Sequence, residues 1–292
     1  MIRVFVLILI IGSTFSLERK FRVLNGTLGH SGLTFIAHLD IKIVRTIGRT
    51  TFRRNMICGG SFIKKDVILT AGHCVRFIEP ENILVRFGTL SPYEENIQTA
   101  SVKTVVVHED YNQPSIYNND IALIFLDEAV DTGPLVSLIQ LSHIQEFDVN
   151  STATAAGWGV DENGEYPEHL QKTEFSLIGN DVCQKLTNSE VTENMLCANG
   201  RNNSTTCLGD SGGPLVLENR LIGIMAWSME FVTLPNRRQT CKTDLPAVFI
   251  RVARYTDWIS RKILKRKRCI GKKLSREINK KQAQKAEIKP FN

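Results

Sequence analysis

The sequence predicts an all-β, mostly antiparallel fold for the larger part of this chain. Helix-period apolar patterns are scarce in its 292 residues, whereas short apolar runs recur between turn residues. Five such runs are Val67–Thr70, Ile83–Phe87, Val102–Val107, Ile121–Leu126 and Leu221–Ala226. With 42% hydrophobic and 23% charged residues, the chain can form a substantial core in one large domain or two coupled halves.

The first 16 residues have the pattern of a secretory signal peptide. Arg3 precedes an apolar run from Val4 to Ile11, and the small residues Thr14 and Ser16 follow. This run is too short to span a bilayer, which argues against a transmembrane anchor. We therefore expect residues 1–16 to be removed and the protein to be secreted to the extracellular space.

The cysteines fit an oxidising compartment. None of the seven lies in a C-x-x-C pair, which argues against a zinc site, and we predict neither a metal nor a cofactor. Six cysteines can pair in disulfides, and one is left over. Cys269 is the outlier, because it lies in a basic C-terminal segment.

The stretch TTCLGDSGGP, Thr205 to Pro214, places a serine among three glycines. Glycine permits φ > 0 and lets main-chain N–H groups approach a ligand, so Ser211 is a candidate nucleophile. Such a serine needs a base, an orienting acid and donors for an oxyanion. An ordinary surface turn is the alternative, since Gly, Asp and Ser are common turn residues.

Two further motifs offer the base and the acid. His73, one of six histidines, lies in LTAGHC, after a strand-like run and directly before a cysteine. Histidine suits a general base because it titrates near physiological pH. Asp120 ends the polar loop of NNDIALIFL and enters an apolar strand, where a partly buried carboxylate needs a partner. The alternatives are a structural histidine and an aspartate that caps its own turn.

Taken together, the motifs in the order His73, Asp120, Ser211 resemble the chymotrypsin-like (trypsin-like) serine peptidases. The resemblance runs from about Val23 to Ser260 and includes CGGSFIKKDVILTAGHC, NNDIAL, AAGWG, CLGDSGGP and PAVFIRVARYTDWI. It implies two six-stranded antiparallel β-barrels with the active site between them, followed by a C-terminal helix. It also implies a peptidase domain over residues 23–264.

The resemblance implies a role for each site residue. Ser211 attacks the scissile carbonyl, His73 transfers its proton to the leaving amine, and Asp120 orients the imidazole. The N–H groups of Gly209 and Ser211 form the oxyanion hole. The implied partners are protein or peptide substrates and serpin-type inhibitors.

The resemblance further implies a zymogen. Cleavage after Arg22, in ERKFRVLNG, would free the α-amine of Val23. That amine would pair with Asp210 and order the oxyanion loop. This activation requires another protease and makes residues 17–22 a short propeptide.

Covalent features follow from the same resemblance and from sequons. The implied disulfides are Cys58–Cys74, Cys183–Cys197 and Cys207–Cys241. N-x-S/T sequons occur at Asn25, Asn150, Asn202 and Asn203. We predict glycosylation at Asn150, because Asn25 lies near the new N-terminus and the other two flank the substrate pocket.

The implied substrate pocket departs from that of trypsins. Its base falls on Thr205, where trypsins have an aspartate that pairs with substrate Arg or Lys, and burying a cation without that charge is costly. The wall positions, usually glycine in wide pockets, are Ser228 and Ala247, and Trp227 lies beside them. We therefore expect cleavage after small or medium apolar residues.

Ala226 is a second departure, in AWS. The family has a serine there whose hydroxyl helps to hold the catalytic aspartate, and its loss would cost ~1 kcal/mol. This keeps open a weakly active or inactive homologue that acts as a binding or regulatory module. The intact His73, Asp120 and Ser211 favour the enzyme.

The C-terminal segment is a separate electrostatic unit. Residues 261–292 contain 13 Lys/Arg and 2 Glu, a net charge of +11, so residues 1–260 carry −5 of the total +6. Tyr255, Trp258, Ile259 and Ile263 have helical spacing, which predicts a helix packed on the second barrel.

Beyond that helix, residues 265–292 are predicted to be a disordered, solvated extension. An alternative for this segment is an anchor to sulfated glycans or anionic surfaces. Nucleic acid is not expected as a partner of a secreted chain.

Overall fold

Two closed β-barrels, each of six antiparallel strands, form the structure, a computed structural model that describes residues 27–28, 32–48, 50–228 and 231–287. A C-terminal helix follows them. This architecture confirms the predicted fold. The predicted signal peptide and propeptide lie outside the described residues.

The first barrel closes in the order β2-β3-β4-β7-β6-β5. Its strands are β2 (Ile36–Ile47), β3 (Thr50–Lys64), β4 (Val67–Thr70), β5 (Ile83–Phe87), β6 (Gln98–Val107) and β7 (Ala122–Leu126). Every residue of β4 and β7 is buried, so these apolar runs fill the barrel interior.

The second barrel closes in the order β9-β10-β11-β16-β13-β12. Its strands are β9 (Thr152–Gly157), β10 (Gln171–Ile178), β11 (Met195–Gly200), β12 (Pro214–Leu217), β13 (Arg220–Ser228) and β16 (Ala247–Arg251). Phe175 and Phe249 meet edge-to-face in its core, with 5.6 Å between ring centroids.

Short elements flank the second barrel. β1 (Thr27–Leu28) pairs with β10, and β8 (Gln140–Leu141) pairs in parallel with β13. β14 (Phe231–Thr233) and β15 (Gln239–Cys241) form a separate hairpin.

Helices are few. They are α1 (Gly72–Val75), α2 (Asn180–Thr187) and α3 (Thr256–Glu287), with 3₁₀ turns at Pro80–Asn82, Arg201–Asn203 and Val252–Arg254. None of the helices in the described ranges has the length and apolar character that crossing a bilayer requires.

The hairpin of β2 and β3 extends beyond the first barrel. Its strands pair as far as Ile47 and Thr50, whereas β2 pairs with β5 only from Ala37 to Ile41. Gly48 in the turn has φ +61°, a conformation that favours glycine. Residues 42–48 and 50–56 thus form a two-stranded extension, which we call the β2–β3 ribbon.

The C-terminal helix packs on the first barrel, so the expectation that it packs on the second was wrong. The Trp258 Nε1–H donates to Glu109 Oε2 at 2.9 Å, and the Tyr255 hydroxyl donates to Asn119 Oδ1 at 2.8 Å. Glu109 and Asn119 belong to the segment between β6 and β7. These hydrogen-bond acceptors hold the C-terminal segment against the first barrel.

The same helix continues to Glu287, past residue 264. This differs from the disordered extension expected for residues 265–292. The segment from 264 to 287 lacks proline, has one glycine and is rich in Lys, Arg, Gln and Ala, which favour helix. Arg266 connects the helix to the first barrel. Its guanidinium donates a hydrogen bond to the Leu126 carbonyl oxygen at 3.4 Å and forms a cation–π contact with the Phe125 ring.

Candidate active site

A single helical turn, α1, presents His73 at the cleft between the barrels. The imidazole Nδ1 lies 2.7 Å from Asp120 Oδ2, and the His73 main-chain N–H donates to Asp120 Oδ1, also at 2.7 Å. Asp120 is fully buried, while 22% of the His73 side chain is exposed. Because an ionised carboxylate only accepts, Nδ1 carries the proton and Nε2 is left as the base.

The loop before Asp120 is fixed by its neighbour, Asn119. The Asn119 side-chain amide donates to the carbonyl oxygens of Asp110 and Gln113, at 3.0 and 2.9 Å. Its Oδ1 accepts the hydroxyl of Tyr255. Tyr255, which directly precedes α3, therefore helps to position the acid of the site from 136 residues away in sequence.

The turn that carries Ser211 presses against the first barrel. The Ser211 carbonyl oxygen accepts the Gly59 N–H at 2.7 Å, and the Gly212 N–H donates to Met225 O at 2.8 Å. Gly212 has φ +78°, and a Cβ there would overlap Thr70 Oγ1 and the Gly59 carbonyl. Glycine is thus required for this close contact between the two barrels.

Gly209 sits on the other side of the nucleophile, with φ +102°. Neither its N–H nor that of Ser211 has an acceptor among the described residues. Both residues line a cleft of about 880 Å³ together with His73. The structure thus brings the predicted nucleophile, base and oxyanion donors to one cleft.

Asp210 is buried beneath this turn. Its carboxylate accepts the Gly159 and Cys207 main-chain N–H groups, each at 2.8 Å. Burial raises the pKa of Asp210 to about 6, although the two amide hydrogen bonds act in the opposite direction. Its predicted partner, the amine of Val23, and the cleavage residue Arg22 lie outside the described residues.

The predicted substrate-pocket residues divide into two groups. Trp227 and Ser228 line the cleft. Thr205 and Ala247 are buried, 1% and 0% exposed, and are not among the residues that line the cleft. Met225 occupies the wall instead, and its Sδ accepts the Thr206 hydroxyl at 3.1 Å.

Met225, Tyr117 and Tyr166 are among the cleft residues that the sequence analysis did not single out. The Tyr117 ring stacks on Trp227, with centroids 6.2 Å apart, and Tyr166 lies beside Gly209. Met225 directly precedes the AWS motif and Tyr117 lies three residues before Asp120, so motif proximity was the available signal. Tyr166 had none.

Three disulfides are present, and they are those that the resemblance implied. They join Cys58 to Cys74, Cys183 to Cys197 and Cys207 to Cys241. The first bridge links β3 to α1 next to His73. Cys269 is exposed and unpaired.

The hairpin of β14 and β15 contacts the loop between β9 and β10. Arg238 forms an ion pair with Glu165. The Thr240 hydroxyl donates to Asp161 O at 2.8 Å. The β14–β15 hairpin therefore packs on the loop that also carries Tyr166.

An Asp–His pair on one barrel, facing a serine on the other, defines a serine-type hydrolase of the chymotrypsin fold. The Trypsin family model matches residues 42–259, so the chain belongs to the trypsin family. The chain is 36% identical to "Trypsin eta" of Drosophila melanogaster over 209 residues. This alignment covers 70% of this chain and 76% of that protein.

Solved structures agree with this family. Neuropsin, a serine protease expressed in the limbic system of mouse brain, aligns with a TM-score of 0.66 and 28% identity, over 82% of this chain and 99% of that one. The scabies mite inactivated protease paralogue S-D1 aligns with a TM-score of 0.70 over 83% of this chain and 97% of that one. At 18% identity, the latter likeness shows the fold alone.

Proposed function

We propose that this protein is a secreted serine endopeptidase, made as a zymogen, that cleaves after small or medium apolar residues. The observation that carries the proposal is the His73–Asp120 pair, with 2.7 Å between Nδ1 and Oδ2, on the same cleft as Ser211. A binding module without activity would not need this buried pair.

Catalysis would proceed through an acyl-enzyme. As Ser211 Oγ bonds to the scissile carbonyl carbon, His73 Nε2 takes its proton, and Asp120 stabilises the imidazolium. The Gly209 and Ser211 amides hold the oxyanion, each contributing about 3–4 kcal/mol. The imidazolium then protonates the leaving amine, and a water molecule, deprotonated by His73, releases the acid product.

Activation by cleavage after Arg22 is supported by the state of Asp210. In the uncleaved chain, Val23 is in a peptide bond and offers no ammonium group. The buried carboxylate then has two amide donors, and its pKa is raised. A free Val23 amine would supply the missing cation, and its own pKa, ordinarily ~8, would rise through the pairing.

This pairing sets a pH limit for the cleaved enzyme. The amine is charged below its raised pKa and loses its charge as the pH rises through it, so activity should fall on the alkaline side. A pH profile of kcat/KM checks this. Full activity of a cleaved chain with an acetylated Val23 amine would contradict the zymogen.

The active nucleophile can be tested by covalent labelling. A fluorophosphonate should label the chain cleaved after Arg22, label the uncleaved chain far more slowly, and leave Ser211→Ala unlabelled. Mass spectrometry of the labelled peptide identifies the residue. A cleaved, folded chain that remains unlabelled would support the binding-module alternative.

The substrate preference is supported by the lining of the cleft. Met225, Ala226 and Trp227 supply an apolar wall, and the buried Thr205 offers no negative charge for a substrate cation. Peptides that differ only in the residue before the scissile bond test this. We expect Ala, Val or Leu to exceed Lys and Arg in kcat/KM, and the reverse order would contradict the preference.

Two peripheral features complete the proposal. Asn150 is exposed in a turn, at φ +71°, and would carry a glycan that a glycosidase removes with a measurable mass change.

The net charge of +11 on residues 261–292 would hold the protein on sulfated glycans. Equal salt elution from heparin with and without residues 265–292 would refute this anchor.

A further inference from the structure

A cavity of about 370 Å³ lies on the second barrel, apart from the catalytic cleft. None of the residues that line it also lines the cleft. Strands β10, β11 and β16 supply part of its lining, which includes Arg251, the last residue of β16. We call it the Arg251 cavity, and the chemistry of its lining determines which ligand it can hold.

Hydrogen bonds fix the Arg251 side chain beside this cavity. The residue is 7% exposed. Its Nε donates to Glu193 O at 3.1 Å and to Met195 O at 3.3 Å. Nη2 donates to Met195 O at 3.1 Å, and Nη1 donates to Gln145 O. Because a guanidinium has five N–H groups, each terminal nitrogen keeps one N–H that has no acceptor among the described residues.

The charge of Arg251 is buried without a paired carboxylate. The residue forms no ion pair with another described residue. Glu193 and Glu146 line the cavity but are exposed, and Glu193 Oε2 accepts a hydrogen bond from Arg254 at 2.9 Å. Burial lowers the pKa of Arg251, and the charges of the two acids oppose this change only in part. A buried cation without a paired acid favours an anionic ligand.

The N-terminus of helix α2 borders the same cavity. Gly179 and Asn180 line it, and the N-cap Gly179 offers no side-chain hydrogen bond to the first amides of the helix. The N-terminus of a helix carries a partial positive charge, which favours an anion. Asp181, the acid of the first turn, is exposed and is not part of the lining. The helix thus adds to the positive potential of Arg251.

Apolar side chains form the walls of the Arg251 cavity. They are Phe147, Val149, Leu177, Ile178, Val191 and Leu196. Val149 is 61% exposed, so it lies where the cavity meets the solvent. An inorganic anion would leave these walls in contact with water, whereas an apolar body would cover them and gain hydrophobic free energy. Apolar walls with a few placed polar groups are typical of small-molecule sites.

We propose that the Arg251 cavity binds a monocarboxylate that carries a compact apolar body. The carboxylate would accept the N–H groups of Arg251 that have no other acceptor, as a charge-assisted pair, and the body would contact the apolar walls. A free acid and the C-terminal residue of a peptide share this chemistry. Such binding lies outside the catalytic cleft and does not require the proposed peptidase activity.

The test is a ligand-observed NMR titration of the full chain carrying Ser211→Ala, which prevents self-cleavage. N-acetyl-leucine presents a carboxylate on an apolar body, and N-acetyl-leucinamide is its neutral isostere. We expect the acid to bind about 10-fold more tightly, because the amide cannot form a charged hydrogen bond with the guanidinium. Isocaproate has the same apolar body without the acetamido group. The tighter ligand of the two acids identifies a peptide end or a free acid as the better fit.

Val149→Glu places a like charge at the mouth of the cavity and should weaken the binding of N-acetyl-leucine by about 5-fold. Val44→Glu is the matched control, because it adds the same charge at an exposed valine of the β2–β3 ribbon. It should leave the dissociation constant unchanged. Arg251→Gln should abolish the preference for the acid over the amide. If the loss of its carbonyl contacts prevents folding, Val149→Glu decides the test.

Three outcomes would overturn the site. Equal affinity for N-acetyl-leucine and N-acetyl-leucinamide would remove the role of the guanidinium. An unchanged dissociation constant in Val149→Glu would place the binding elsewhere, the catalytic cleft included. Sulfate that displaces N-acetyl-leucine and binds as tightly would remove the role of the apolar walls. Because the chain tested lacks the nucleophile, none of these results bears on the proposed peptidase, which fluorophosphonate labelling tests separately.

Discussion

The two walls of the cleft differ in how their buried carboxylates are compensated. Asp120, on the first barrel, accepts two N–H groups from His73, one of them on a ring that can become a cation. Asp210, on the second barrel, has only the main-chain amides of Gly159 and Cys207 among its described partners, and its pKa is raised to about 6.

This contrast distinguishes the partners that folding alone supplies to Asp120 from the cation that activation would supply to Asp210. The acid–base wall has its hydrogen bonds in place. The nucleophile wall contains a buried carboxylate that favours a new positive charge. Regulation through the N-terminus would therefore act on Asp210 and the oxyanion loop rather than on His73 and Asp120.

Among the changes considered for the two walls, removing the nucleophile should lower kcat the most. Ser211→Ala should lower kcat of the cleaved chain by about 10⁵- to 10⁶-fold, because no hydroxyl remains to form the acyl-enzyme. Its free energy of unfolding should stay close to that of wild type, since Ser211 Oγ makes no hydrogen bond with another described residue. Measurable burst kinetics in this variant would point to another nucleophile.

Changing the acid of the first wall should have the next largest effect. Asp120→Asn should lower kcat by about 10⁴-fold, because an amide favours the wrong imidazole tautomer. Steady-state kinetics at pH 8 measure the loss, and Asp131→Asn, an exposed acid of the same barrel region, serves as control. Equal activity of the two variants would remove Asp120 from the site.

The buried Asp210 of the second wall should make the free energy of unfolding depend on pH. The folded pKa of Asp210, about 6, exceeds its ordinary 3.8. The folded state therefore holds the proton more tightly, so the uncleaved chain should lose stability as pH rises from 4 to 7, by about 3 kcal/mol from this group.

Asp210→Asn cannot ionise and should lack that part of the pH dependence. Urea unfolding between pH 4 and 7.5, in a Ser211→Ala background that prevents self-cleavage, compares the two slopes. Identical slopes would show that Asp210 is already compensated before cleavage.

A small gain is expected from adding a hydroxyl at position 226. Ala226 is 2% exposed and replaces the serine that the family uses there. Ala226→Ser should add a hydrogen bond of ~1 kcal/mol to the carboxylate, which corresponds to about a 5-fold rise in kcat. The gain should vanish in the Asp120→Asn background, and a gain that persists there would assign it to another contact.

Local sequence patterns predicted much of the framework. The runs Val67–Thr70 and Ile83–Phe87 are strands with those bounds, because an apolar or alternating run needs only its own residues to define a buried strand. The motifs around His73, Asp120 and Ser211 also identified the residues that meet at the cleft. Their glycines mark the positions where the backbone must approach closely or adopt positive φ.

The sequence by itself thus determined the all-β class, the family resemblance and the chemically active side chains. Only the tertiary structure decided that α3 packs on the first barrel and that Met225 and Tyr166 line the cleft. The physical reason is separation along the chain: Trp258 meets Glu109 from 149 residues away. Such contacts depend on strand register and barrel closure, which no local periodicity encodes.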